Sequence, residues 1–568
     1  MKYLHSIIKS FIFCCFICVN FCSVAQEMQS AQTITFEVDV QKKIEPMKPI
    51  WAWFGYDEPN YTYMKDGQKL LTELSAMSYT PFNVRVHNLL TTGDGTPALK
   101  WGSTNAYTED KKGRPIYDWT IVDSIFDTFI VRGMKPLVEI GFMPKALSVK
   151  PDPYQHNWSP ANAYNDIYTG WAYPPKDYNK WRELVCQWVK HCVERYGENE
   201  VASWYWEVWN EPNIGYWKGT FEEYCKLYDY AADGLKKAFP RARIGGPHST
   251  DPSNESANAF LRRFLEHCVR GKNYATGKIG SPLDYVGFHA KGGPRVVDNR
   301  VQMNIGRQLL NISKGFEAVA SFPELKHLPI IIGESDPEGC AACSIEHHPQ
   351  NAYRNGTMYS SYTAASFARK YELARKYGVN FIGAVSWSFE FENQAWYAGF
   401  RDLATNGIDK PVLNVFRMFG MMKGDLVTVK SSAPLSADEM CKNSVRRTAD
   451  INSIASTDNN SVAVMVWNYH DDDLSAPSSD ISINVKNMTG RRVLVTHYRI
   501  DDQFSNSYEV WKAMGEPQNP SPEQLEILER SGQLQMYSSP VWKDVIGGKI
   551  TVDFSLPRQG VSLIKLTW

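Results

Sequence analysis

From residue 50 to residue 425, short and mainly apolar runs recur with helical periodicity between them. The runs are IWAWFG (50–55), FNVRVHNLL (82–90), KPLVEIGF (135–142), SWYWEVWNE (203–211), RIGGPH (243–248), DYVGFHA (284–290), PIIIGES (329–335) and FIGAVSWSF (381–389). In KDYNKWRELVCQWVKHCVERYG, Trp181, Leu184, Val185, Trp188, Val189 and Cys192 follow a 3.6-residue period, and Gly197 offers a stop. Eight strands alternating with helices predict an α/β fold, a (β/α)8 TIM barrel over residues 46–425. An open doubly wound sheet is the alternative, but no Gly-rich phosphate loop follows the first run.

The two ends follow a different rhythm. TITFEVDV (33–40) alternates strictly, as do SVAVMVWNYH, DISINVKNM, RRVLVTHYRID, KITVDFSL and GVSLIKLTW beyond residue 426, with one helical stretch, SPEQLEILERSG. These predict a β-sandwich accessory domain over 426–568, completed by an N-terminal strand within 31–45 that pairs there rather than plugging the barrel. Residues 1–25 have the form of a signal peptide: Lys2 and Lys9, the apolar run FIFCCFICVNFC, then Ser23, Val24 and Ala25 before the cut. The run is too short to span a bilayer, so the expectation is a soluble, exported protein, periplasmic or secreted.

Four of the 11 cysteines leave with that segment, and the remaining seven cannot all pair within one chain. Cys340 and Cys343 form a C-x-x-C followed by His347 and His348. A zinc site would need a second half that is missing, so a local disulfide in an oxidising compartment is the favoured reading.

The formal charge of -1 argues against a nucleic-acid partner. An aromatic content of 13% suits sugar faces, although core packing accounts for aromatics as readily. Candidate chemistry lies at the strand ends, where barrel enzymes keep their sites. Those ends carry Arg85 and His87, Asn210 and Glu211, His289, Glu334, and Trp387 followed by Glu390 and Glu392. A lone carboxylate at a strand end is usually a solvated loop residue. Glu211 and Glu334, ending strands four and seven, instead face each other across one mouth, as glycoside cleavage by paired carboxyls requires. Glu207, two residues inside strand four, points into the barrel and needs a cation such as Arg85.

EVWNEPN and the second glutamate in IIIGES resemble clan A glycoside hydrolases, whose acid/base follows strand four and whose nucleophile follows strand seven. From the first strand to YRIDDQFSNSYEVWKAMGEPQNPSPEQLEILERSGQLQ the chain resembles family 39, which holds β-xylosidases and α-L-iduronidases. The resemblance implies retention of configuration, Glu211 as acid/base and Glu334 as nucleophile, with carboxyl groups about 5–5.5 Å apart. It implies further that Asn210 binds the hydroxyl next to the anomeric carbon, that His87 and His289 bind sugar, and that Arg85 keeps Glu334 ionised. Trp387 would floor the subsite, and Glu392, in FENQ, would contact sugar hydroxyls. It implies no metal or organic cofactor. Glu211, as the acid, is expected in the less polar setting and with the higher pKa.

The loop SDPEGCAACSIEHHPQ departs from the xylosidase pattern, and the Trp387–Glu392 spacing is shorter, so the sugar is less determined than the chemistry. The expectation is a β-xylosidase-like exo-glycosidase acting on oligosaccharides. An α-L-arabinosidase or α-L-iduronidase is the alternative, the latter calling for cations such as Lys291 and Arg295. A non-catalytic glycan-binding protein would need neither glutamate. Oligomeric state is not legible.

Overall fold

The computed structural model describes residues 33–162 and 166–568. The candidate signal peptide, residues 1–25, lies outside them. The expected runs form one parallel barrel from Trp53–Tyr56, Asn83–Val86, Lys135–Ile140, Tyr205–Val208, Arg243–Ser249, Tyr285–His289, Pro329–Glu334 and a two-piece eighth strand, Asn380–Ala384 with Ser386–Trp387. Each strand pairs with its chain neighbour, and Ser386–Trp387 closes the ring on Phe54 and Gly55. Closure needs a glycine there. A Cβ on Gly55 would lie 2.4 Å from the Trp387 ring, so any side chain would push the first and eighth strands apart.

The helices between strands follow local rules. Tyr178–Tyr196 begins where the Asp177 side chain accepts from the N–H groups of Asn179 and Lys180, and it ends at Gly197, whose φ is 86°. Its stripe from Trp181 to Cys192 is buried. Each large apolar side chain so buried contributes about 1.5–3 kcal/mol.

A second sheet of nine strands runs, in spatial order, Gln535–Asp544, Arg492–Ile500, Val561–Thr567, Ser461–Tyr469, Asp450–Thr457, Asp425–Ser431, Ile34–Pro46, Ser479–Lys486 and Lys549–Leu556. It curls so that Val462, Val464 and Val466 share one core with Ile481, Ile483 and Val485, four strand positions away. That makes it a sandwich-type accessory domain on the barrel. The N-terminal strand pairs antiparallel with Asp425–Ser431 and parallel with Ser479–Lys486, burying Phe36 and Val38. One helical stretch was expected beyond residue 426, yet Ala437–Asn443 and Ser507–Ala513 are helical as well. Both are too short for a periodic stripe and are set by caps, Ser436 with Glu439 in one and Asn506 in the other.

The helix between strands seven and eight, Thr357–Tyr377, carries the sandwich. Arg369 pairs with Asp450 at 2.8 Å, and Ser361 Oγ donates to Gln559 at 2.6 Å, both buried. No described helix is long and apolar enough to cross a membrane.

Candidate active site

The fourth strand ends at Val208, and the chain then turns sharply. Trp209 and Glu211 hold φ values of 74° and 43°, in the left-handed region that side chains other than glycine rarely occupy. Such local strain persists only where surrounding bonds over-determine it. Here the Glu211 N–H donates to the His248 carbonyl at 3.1 Å, while Trp209 Nε1 donates to the Tyr216 carbonyl at 2.9 Å. The turn delivers Glu211 into the barrel mouth, opposite Glu334 at the end of strand seven.

Arg85 organises the floor beneath them. Fully buried, its guanidinium reaches Glu207 (Nε–Oε1, 2.6 Å), Glu139 (3.1 Å) and Glu334 (Nη1–Oε1, 3.1 Å), and Nη2 donates to Asn210 Oδ1 at 2.9 Å. Glu207 is thus paired as its position requires, and His248 Nε2 takes its other oxygen at 2.6 Å. The bond from Arg85 leaves the Asn210 amide NH2 to donate elsewhere. His87 sits between Glu139 (2.5 Å) and Asp57 (3.2 Å), with Glu334 at 3.5 Å. Burial disfavours its charge, but Glu139, Asp57 and Glu334 together raise its pKa well above that of ordinary histidine.

His289 Nδ1 lies 2.9 Å from Glu211 Oε1 and 3.6 Å from Glu334 Oε1. Burial pushes its pKa down to about 4, so at neutral pH the neutral ring donates from Nδ1 to Glu211. The ammonium of Lys291 spans the pair, 3.0 Å from Glu211 Oε1 and 2.5 Å from Glu334 Oε2. Burial would raise both carboxyls. Lys291 and the neighbouring histidines offset it, leaving Glu211 below the usual glutamate value and Glu334, which also feels Arg85, well below it. The expected setting for Glu211 therefore needs correcting. It is the less depressed of the two, but Lys291 makes its surroundings cationic rather than apolar.

Oxygens of Glu211 and Glu334 and a nitrogen of His289 lie within 4.8 Å of one another. That spacing could serve a cation, but the Lys291 ammonium already touches both carboxylates. Carboxyl oxygens that approach within 4.8 Å fit the close pair of retaining enzymes better than the about 6.5–9.5 Å separation of inverting ones.

A cavity of about 440 Å³ opens over the pair, with Trp387, Tyr168 and Tyr216 in its walls. Trp387 stacks on Arg85, the guanidinium 4.8 Å from the ring, and donates from Nε1 to Asp57 Oδ1 at 3.2 Å. Asn210 and His289 lie behind the lining, where they orient Arg85 and the carboxylates. Glu392 is placed elsewhere. It does not line the cavity, and its Oε2 accepts from the Asp66 N–H at 2.9 Å, at the start of helix Lys65–Ala76. The loop after strand eight turns it outward, and an acceptor at a helix N-terminus is a favourable place for a carboxylate. Arg295 is also turned away, donating to Gln302 at 2.8 and 3.0 Å.

The loop after Glu334 forms one wall through Glu338 and Gly339. Cys340 and Cys343 are disulfide-bonded, and buried Arg354 donates to the carbonyls of Cys340 (2.7 Å), Cys343 (3.1 Å) and Ala341 (3.2 Å) while pairing with Glu338. Asp57, Lys100, Glu139 and His248 were not legible as site residues. Glu139 and His248 carried a usable signal, a polar residue at or near the end of a predicted strand. The other two stand on loops.

A barrel whose fourth and seventh strands end in closely spaced carboxyls, over an aromatic-walled cavity, is a retaining glycoside hydrolase. Comparison with known proteins gives the family. The model of glycosyl hydrolases family 39 matches residues 34–543, so the chain belongs to that family. A β-xylosidase of Geobacillus stearothermophilus is 26% identical over 466 residues, covering 80% of this chain and 82% of the relative. The α-L-iduronidase of Mus musculus is 24% identical over 571 aligned positions, covering 93% and 80% respectively. A monomeric β-xylosidase from Caulobacter crescentus CB15 has the same fold, with a TM-score of 0.71, 21% identity and coverage of 94% of this chain and 99% of that one.

Proposed function

We propose that this hydrolase releases, from the non-reducing end of an oligosaccharide, a terminal sugar that bears a carboxylate, as an iduronide does. The observation that carries this reading is the Lys291 ammonium within 3.0 Å of both catalytic carboxylates. A neutral sugar offers no anion to that cation. A carboxylate on C5 stands one ring oxygen from the anomeric carbon and would draw the ammonium to itself. Glu211, relieved of the cation, can then hold the proton it must donate to the leaving oxygen. Glu334, still bonded to Arg85, stays ionised, attacks the anomeric carbon and forms the glycosyl-enzyme. Glu211 next acts as base toward water, and the sugar leaves with its configuration retained.

A neutral pentoside is the second reading. The relatives from Geobacillus stearothermophilus and Caldicellulosiruptor saccharolyticus, each 26% identical, are both β-xylosidases. A panel of 4-methylumbelliferyl glycosides including the α-L-iduronide, β-D-xyloside and α-L-arabinofuranoside separates them. The iduronide should be the fastest, and Lys291→Met should lower its kcat/KM by about 10- to 100-fold beyond any effect on the xyloside. A xyloside turned over fastest, with no selective loss in that variant, would establish the neutral reading instead. Export is part of the proposal. The mature protein should begin at Gln26 when its N-terminus is sequenced from the producing cell.

A further inference from the structure

The main cavity has a small annex of about 20 Å³ on the side of strands one to three, opposite Lys291. Asp57 and Lys100, together with Tyr216, line both spaces and so form the boundary between them. They form a salt bridge with side chains 6% and 7% exposed. A buried ion pair is costly to desolvate and seldom earns its place by stability alone.

Several bonds aim this pair at the sugar. Trp387 Nε1, in the subsite floor, donates to Asp57 Oδ1 at 3.2 Å, and His87 Nε2 lies 3.2 Å from the same oxygen. The backbone on both sides is pinned. Glu58 Oε1 accepts from the Lys100 N–H at 2.7 Å, and Asn60 exchanges two bonds of 2.9 Å with the Ser103 backbone. The loops after strands one and two are thereby stitched together directly beside Asp57 and Lys100. Behind the pair, Trp171 lines the annex, and its buried Nε1 has no hydrogen-bond partner among the described residues.

Ring geometry then gives the pair its task. With the anomeric carbon between Glu211 and Glu334 and the C5 side toward Lys291, as the uronide reading places it, the wall opposite Lys291 faces C3 and C4. We propose that Asp57 and Lys100 are specificity-determining residues that bind the hydroxyls on C3 and C4 of the terminal sugar. Asp57 accepts from them and Lys100 donates. The annex, with room for about one water or one hydroxyl, excludes any larger substituent at those positions. This rests on the ring placement of the uronide reading above, which the glycoside panel tests separately; xylosides and iduronides carry both hydroxyls.

The test uses Asp57→Asn and Lys100→Met in the full chain, on the fastest glycoside of the panel and on its 3-deoxy and 4-deoxy analogues. Each variant should lose about 10- to 100-fold in kcat/KM on the parent sugar. The same substitution should cost under about 3-fold on the analogue lacking the hydroxyl it contacts. An O-4-methylated parent should be refused by the unmodified enzyme. Failure of the uronide reading shows in the panel itself, and the deoxy analogues of whichever pyranoside is fastest then test the pair on their own. Equal losses on the parent and both deoxy analogues, at unchanged Tm, would overturn the proposal and leave the pair a structural tie. So would efficient turnover of the O-4-methylated glycoside. If Asp57→Asn fails to fold, Lys100→Met with the same analogues decides alone.

Discussion

Replacing Lys291 by Met removes a cation that touches both proposed catalytic carboxylates, at 3.0 Å from Glu211 and 2.5 Å from Glu334. At 3.0 Å, Coulomb's law gives about 1.4 kcal/mol under water-like screening and about 5.5 kcal/mol at an effective dielectric of about 20. Even the smaller figure corresponds to about one pH unit in a protonation midpoint. The sign follows from the cause. Lys291 holds both carboxyls below their ordinary values, so its loss raises both. Glu211, the proposed acid, then keeps its proton to higher pH, and Glu334, the proposed nucleophile, needs a higher pH to ionise. On a 4-methylumbelliferyl glycoside, whose departure needs the acid, both limbs of the kcat/KM profile should move up by about one pH unit or more. A 2,4-dinitrophenyl glycoside needs no proton for departure. Its basic limb should therefore be absent in both proteins, while its acidic limb still moves. That contrast ties each limb to its glutamate. Limbs that stay within about 0.3 pH unit on the 4-methylumbelliferyl substrate would refute the electrostatic argument, since the contact distances leave no room for so small an effect.

Glu211→Ala should lose about 10²- to 10⁴-fold on the 4-methylumbelliferyl substrate yet spare glycosylation by the dinitrophenyl glycoside. Intact mass should show a trapped adduct, and azide should release it as a glycosyl azide of retained configuration. Glu334→Ala should fall to the uncatalysed background on both substrates, and a burst from this variant would reverse the assigned roles. Arg85→Met leaves Glu139, Glu207 and Glu334 buried around a neutral side chain, so urea denaturation should show about 3–5 kcal/mol lost. Retention of full stability would mean that those carboxyls fold protonated.

Position along the chain was enough to read the barrel. Apolar runs separated by helical periods can satisfy their backbones in few ways, and the strand ends of such a barrel converge on one mouth. Glu211 and Glu334 were therefore visible without coordinates, as was the need of buried Glu207 for Arg85, because an inward carboxylate must find a cation nearby. The loops were not legible in this way. Glu392 stands in FENQ, where resemblance to the family implied a sugar contact, yet a loop's path depends on what packs against it, and here the path ends at a helix N-terminus. Lys291 could be named only as an available charge. Its contact with both carboxylates arises because strands four, six and seven bring three separate segments within 3 Å. Asp57 and Lys100, on loops 43 residues apart, carry no period and no motif. Regular hydrogen bonding repeats along the chain and leaves a pattern in it. Contacts between loops do not repeat, so only the folded barrel decides which charges meet around the sugar.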